Sequence, residues 1–134
     1  MANPEEILAY WLDELGPQGW YRGGEALDQE IRDRFGPTLI QAQQGALGLW
    51  LTCATGTLAY IILTDQFSRN IHRNQARAFS TDRAAITAAK IAISRGCDMR
   101  VDEPARHFFY MPLMHSENLC DQDRCVRLML TRLP

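Results

Sequence analysis

Apolar residues recur along the chain at the three-to-four-residue spacing of helices, and one element after another can be read from that rhythm. Asn3-Pro4-Glu5-Glu6 has the form of a helix start, with a capping side chain, a proline at the first helical position and two acids at the positive end of the dipole. Ile7, Leu8, Trp11, Leu12 and Leu15 then share a face, and Gly16-Pro17 ends the element. The segment from Gln18 to Gly24 reads as a loop whose Trp20-Tyr21 packs back on the domain. Leu27, Ile31 and Phe35 define a second helix over Glu25 to Phe35, stopped by Gly36-Pro37, and a short, weakly periodic helix follows from Thr38 to Gly45.

The run from Thr57 to Gln66 is apolar on every side, which places a helix in the middle of its domain, with Leu58, Ile61, Ile62 and Leu63 buried. A strand is the rival reading for so short a run, but no other segment offers it a partner. Phe67 to Ser80 is polar and arginine-bearing, a long loop or broken helix. Thr81-Asp82 opens a helix through Ala84, Ala85, Ala88, Ile91 and Ala92 that Gly96 closes. A fifth helix runs from Pro104 through Phe108, Phe109 and Met111 and bends or ends near Pro112, and a sixth covers Leu119 to Leu130. The expectation is an all-α fold, a helix-hairpin array or bundle.

A chain of 134 residues suits a single domain able to bury roughly two-thirds of the surface exposed on unfolding, and shares of 46% hydrophobic and 22% charged residues are those of a globular protein. The net charge of −2 argues against nucleic acid as a partner, because such surfaces depend on a positive field. All but Lys90 of the 14 basic residues are arginine, the side chain suited to bidentate pairing with carboxylates and phosphates, although a GC-rich genome gives the same bias. The uncharged stretch from Gly45 to Thr64 is long enough to span a membrane, but Gly45, Gly48, Gly56 and its threonines make a central bundle helix the better reading. Neither a basic end nor an apolar run marks the first residues as a signal peptide, so the cytoplasm is expected. Cys53, Cys97, Cys120 and Cys125 are then free thiols acting as small buried apolar residues, without the paired spacing of a zinc site. No cofactor and no metal are expected.

Two polar segments carry the candidate chemistry. In the first, Asp65 and Arg69 are four residues apart at the end of the apolar helix and can pair; Gln66 lies beside them, and Asn70 tolerates the left-handed conformation of a helix stop. Arg69, Arg73 and Arg77 recur every fourth residue with no acid between Gln66 and Thr81, which makes an anion site if they share a face, or a solvated face paired with acids from elsewhere. In the second, His115-Ser116-Glu117 precedes the last helix, where Ser116 or Asn118 can cap, or where His115 can act as a general base oriented by a carboxylate. His107 could join His115 and Glu117 around a metal only if Pro112 did not interrupt the register. The candidate ligand-binding set is Asp65, Gln66, Arg69, Asn70, Arg73, Arg77, His115, Ser116 and Glu117, with His115, Glu117 and Asp65 as catalytic candidates.

The segments Leu63-Thr64-Asp65-Gln66-Phe67-Ser68-Arg69-Asn70-Ile71-His72-Arg73 and Tyr110-Met111-Pro112-Leu113-Met114-His115-Ser116-Glu117-Asn118-Leu119, with Ala76-Arg77-Ala78-Phe79-Ser80-Thr81-Asp82 between them, resemble the bacterial family catalogued as domain of unknown function 924. The resemblance spans about Glu5 to Val126 and implies an all-helical fold similar to tetratricopeptide-like helix-hairpin arrays. It implies no reaction, so no catalytic residue is carried over. Ser68 stands where the family usually has proline, and the chain ends at Thr131-Arg132-Leu133-Pro134 where relatives usually continue. The leading expectation for function is a noncatalytic helical scaffold that recognises a protein or peptide. The alternative is an enzyme or small-anion binder that uses Asp65, Arg69, His115 and Glu117, and RNA binding through Arg69, Arg73 and Arg77 ranks last. Two structural expectations follow. The two segments meet, with Arg69 close to Glu117 or His115, and an apolar face near Cys125, Leu128, Met129 and Leu130 is left uncovered for a second copy in a homodimer.

Overall fold

A computed structural model describes residues 2–133; Met1 and Pro134, the outer ends of the first and last segments read above, lie outside the described residues. Every regular element among the described residues is helical, so the fold is all-α. Helix α1 (Pro4–Leu8) starts as its sequence dictates, Asn3 Oδ1 accepting the Glu6 amide at 2.9 Å, and widens into a π-helical segment over Ala9–Leu15. Gly16, at φ 68°, turns the chain without ending its helical run, and Gly16–Trp20 forms α2 where a loop was expected. Trp20 packs back as expected, donating its indole N–H to the Trp11 carbonyl at 2.7 Å and stacking on that ring, whereas Tyr21 stays exposed.

Helix α3 (Glu25–Gln43) passes through Gly36-Pro37, so the expected stop and the separate short helix merge into one element. Proline disfavours a helical predecessor largely through its clash with that residue's Cβ, and Gly36 has none. The helix loses one hydrogen bond at Pro37 but continues to bury Thr38, Leu39 and Ala42, and that burial outweighs a local breaker.

The centre of the molecule is a rod built from α4 (Ala54–Ile61), a π-helical segment (Ile62–Phe67) and α5 (Ser68–Ile71). Leu58, Ile61, Ile62 and Leu63 are all buried, as an apolar-all-round helix requires. Within the wide turn the Thr64 carbonyl accepts the Thr81 hydroxyl and the Asp65 carbonyl accepts Arg69 Nη1, both at 2.7 Å, so side chains serve these backbone groups. Phe67 closes the turn against Trp11, at 5.5 Å between centroids, and Phe35, at 4.9 Å. The helix stop falls beyond Asn70, which is helical; Asn74 takes the left-handed conformation instead, at φ 66°.

A 3-10 turn (Ala76–Phe79) leads to α6 (Asp82–Ser94), which Gly96 ends at φ 75°. The expected fifth helix is two pieces, a 3-10 turn (Ala105–Phe109) and α7 (Met111–His115), because Pro112 sits in the first turn of α7 and opens the helix rather than ending it. Tyr110, just before α7, is fixed by its hydroxyl donating to Asp98 Oδ2 at 2.6 Å, and Arg132 at the end of α8 (Leu119–Arg132) donates to the same oxygen at 2.7 Å. Burial and that hydrogen bond to Asp98 both push the Tyr110 hydroxyl well above its ordinary pKa.

Two expectations about apolar surface need correction. Only Cys125 is a buried cysteine; Cys53 and Cys120 are exposed and Cys97 is half-buried, and all four are free thiols. Cys125 also cannot belong to an uncovered face, and Leu128 and Met129 pack against the core. The exposed stripe on α8 is instead Leu119, Val126 and Leu130, three positions that return to one side of a helix. No helix among the described residues is long and apolar enough to cross a membrane.

Core position and surface position should separate cleanly on truncation. Leu63→Ala is expected to lower unfolding stability by about 2–5 kcal/mol, and Leu130→Ala, at a residue 74% exposed, by under about 0.5 kcal/mol. Urea denaturation followed by circular dichroism reads both, and equal losses would contradict this placement of the core.

Candidate functional site

The wide turn in the central rod sets the site. A π-helical turn shifts the register of everything after it, and here it directs Asp65 and Arg69 to one side of the rod and Asn70 to the other. Asp65 is 1% exposed, and its Oδ1 accepts from Arg69 Nη1 at 3.0 Å and lies 2.9 Å from His115 Nδ1; Gln66 Nε2 reaches Oδ2 at 3.3 Å. Arg69 then forks onto Asp82 at the start of α6, both contacts at 3.1 Å. Arg69 therefore joins the rod to α6 through Asp82, and His115 joins it to α7 through the buried Asp65.

Asn70 and Arg73 do not reach this cluster. Both close on Asp28 of α3: Asn70 Nδ2 at 2.9 Å, Arg73 Nε at 2.6 Å and Arg73 Nη2 at 3.1 Å. Burial alone raises the Asp28 carboxyl, but the hydrogen bonds from Arg73 and Asn70 overcome it and hold the group below the usual carboxylate range. Arg77 is exposed in the 3-10 turn beyond the helix end. The expected stripe of Arg69, Arg73 and Arg77 does not continue as one helix face, because α5 ends at Ile71; Arg69 and Arg73 border a shared groove, but both are held by carboxylates.

Ser116 acts at the start of α8, its Oγ accepting the Asn118 amide at 3.1 Å and donating to Asp121 at 2.8 Å, while Asn118 caps the helix through the Cys120 amide at 2.8 Å. Asp121 also pairs with Lys90 of α6 at 2.9 Å, and these hydrogen bonds from Lys90 and Ser116 lower its pKa. Glu117 is exposed and has no partner among the described residues, so the expected closeness of Arg69 to Glu117 is not an ion pair; Arg69 is already held by Asp65 and Asp82. His107 lies elsewhere, its ring against Trp20 and its Nε2 at 3.1 Å from the Tyr21 hydroxyl. Among the described residues no group of three or more His, Cys, Asp or Glu side chains is placed to hold a metal.

These side chains border an open cleft of about 660 Å³. One wall is the face of α6 carrying Arg83, Ile86 and Lys90, and the other is Pro112 and the His115 to Asn118 turn, with Asp65 and Arg69 between them. Phe79, 60% exposed, stands at one side with the Arg69 guanidinium 5.5 Å from its ring centre. The α6 wall was missed from sequence, although Arg83, Ile86 and Lys90 stand three and four apart at the spacing of a single helix face. The periodicity of that helix was read only for its apolar side.

The sequence model of a bacterial family described as protein of unknown function (DUF924) matches residues 7–133. A solved structure of a protein of unknown function, ATU0120 from Agrobacterium tumefaciens, is similar over 96% of this chain and 72% of its own, at 36% identity and a TM-score of 0.91. No curated protein is significantly similar to the chain.

The Asp28 clasp makes a pH prediction. Because the folded pKa is depressed, the stability it contributes is present above the unfolded value, near 3.9, and is lost as pH falls through the folded value. Asp28→Asn should cost about 1–3 kcal/mol at pH 7, and its deficit against the parent chain should shrink as denaturation is measured below about pH 4. A deficit independent of pH would show that the charge of Asp28 contributes nothing.

Proposed function

The chain belongs to this bacterial family of unknown function, and from its own geometry we propose that it binds a small polar molecule in the cleft between α6 and the α7–α8 turn, with His115 as an acid–base group. One arrangement supports the reading. Asp65 already accepts from Arg69 and Gln66, so it acts as a carboxylate acceptor and receives the proton on His115 Nδ1. That tautomer leaves Nε2 as a lone pair with no protein partner among the described residues, on a side chain 25% exposed at the cleft wall. A carboxylate that fixes the tautomer and direction of an imidazole is the arrangement a general base requires. Ser116 is an unsuitable nucleophile, since its hydroxyl proton is directed to Asp121. Chemistry here would use water or a group of the ligand as the proton donor to Nε2.

A scaffold that recognises a protein or peptide, or a second copy of the chain, is the second reading, favoured by the exposed stripe of Leu119, Val126 and Leu130 on α8. The cleft is favoured over it because the two polar segments converge there and not on the stripe. The RNA reading ranks below both, because Arg69 and Arg73, which border a shared groove, are each paired with carboxylates.

The tautomer is directly measurable. Long-range proton–nitrogen correlation spectra near pH 8 should show His115 with a protonated Nδ1 and a bare Nε2, and Asp65→Asn should redistribute the tautomers. Detection of the Nε2-protonated form as the major species in the parent chain would remove the base from this reading. His115→Ala is expected to shift stability by under about 1.5 kcal/mol, the scale of one partly exposed hydrogen bond, and to abolish ligand-induced stabilisation in a thermal-shift screen.

A further inference from the structure

The charges around the cleft divide into those that are satisfied and those that are not. Asp65, Arg69, Asp82 and His115 form one connected group, and Lys90 and Asp121 form a second. Among the described residues, Arg83 and Glu117 line the same cleft, both exposed, without an ion pair. They belong to opposite walls, Arg83 to the first turn of α6 and Glu117 to the turn before α8, and no ion pair forms between them. The Lys90–Asp121 pair ties the same two walls together at 2.9 Å. Arg83 lies about 10 Å along the helix axis from that tie, at 1.5 Å per residue. The cleft is thus braced at one end and carries unpartnered charges of opposite sign elsewhere on its walls, with Ile86 and Pro112 as apolar surface.

This distribution discriminates between ligand classes. The lining holds three cations, Arg69, Arg83 and Lys90, against the four carboxylates of Asp65, Asp82, Glu117 and Asp121. A phosphorylated or multiply anionic molecule entering it finds one unengaged arginine and an excess of negative charge. A simple cation meets Arg83. A molecule with one group of each sign satisfies both open positions, gaining a charge-assisted hydrogen bond at each wall.

We propose that the ligand of this cleft is amphoteric, a free amino acid or short peptide whose carboxylate pairs with Arg83 and whose ammonium group pairs with Glu117. The proposal rests on the cleft being a ligand site, as argued above, and adds the class of ligand. The exposed ring of Phe79 and the side chain of Ile86 offer apolar contact for the body of the molecule. An α-amino group held at Glu117 also lies on the wall that carries His115, two residues earlier.

The dipeptide alanyl-phenylalanine, its N-acetyl derivative and its C-terminal amide serve as probes in titrations of the nitrogen-labelled protein. The expected result is that the dipeptide shifts amide signals of Arg83 to Ile86 and of Ser116 to Asn118, and that blocking either end weakens binding at least tenfold. Arg83→Gln should erase the penalty of amidation and leave that of acetylation; Glu117→Gln should do the reverse. Both residues are exposed, so neither change threatens the fold. If all three probes bind these amides equally, the amphoteric class is wrong while the cleft remains a binding site. If phenyl phosphate binds the same amides more tightly than the dipeptide, the ligand is an anion and the proposal is overturned. If no probe shifts these signals, the proposal also falls, and the His115 tautomer decides independently whether the acid–base reading survives.

Discussion

The carboxylate of Asp65 is the group on which the arrangement of this molecule turns. Withdrawing an ion from water costs several kcal/mol even after relaxation, and Asp65 lies in the most apolar element of the chain. It can be tolerated there only with donors at close range. Arg69 comes from the same rod, four residues on, and His115 comes from α7, fifty residues away. Arg69 in turn carries the link to Asp82 at the start of α6. Three elements are therefore held in register by the need to satisfy one buried charge. Arg69 reaches both the carbonyl and the carboxylate of Asp65 within the π-helical turn.

The remainder of the first polar segment serves a different constraint. Asn70 and Arg73 close on Asp28 and so fasten the end of the rod to α3, while Arg32 donates to the Ile71 carbonyl at 3.2 Å and completes the same seam. Residues that stand within nine positions of each other thus serve different carboxylates, Asp65 and Asp82 for Arg69 and Asp28 for Arg73. A list of polar residues from such a segment mixes a fastening with a site, and only the direction of each side chain separates them.

That distinction marks the limit of what the chain discloses as a string. Helix starts and stops with a local chemical cause were legible: the Asn3 cap, the Gly96 terminus, the apolar rod. Gly36-Pro37 misled because its penalty is local, whereas the burial of Leu39 and Ala42 that overrides it is tertiary. Pro112 admits two readings, since proline both ends and begins helices, and here it stands in the first turn of α7. The convergence of Asp65, Arg69 and His115 followed from the cost of buried charge. Arg69 pairs with Asp65 as their four-residue spacing implies, but its second carboxylate is Asp82 and not Glu117, because the start of α6 lies beside the rod and nothing local in the chain marks that. The α6 wall went unseen because its polar residues looked like an ordinary solvated face, and nothing in a helix's own sequence says what lies opposite.

Of the four buried aspartates, Asp121 is taken up by Lys90 and Ser116, and the other three differ in their surroundings. Asp28 uses both oxygens on donors whose own chemistry is then spent, Arg73 and Asn70. Asp98 takes Tyr110 and Arg132 on one oxygen, and its Oδ1, though unpartnered among the described residues, is sealed from solvent, so no ligand reaches it. Asp65 differs from both. Arg69, continued to Asp82, answers much of its charge, and His115 adds a hydrogen bond through Nδ1 while its Nε2 has no hydrogen-bond partner among the described residues. On the reading proposed above, the histidine is explained by that second nitrogen, since the side chain lines the cleft.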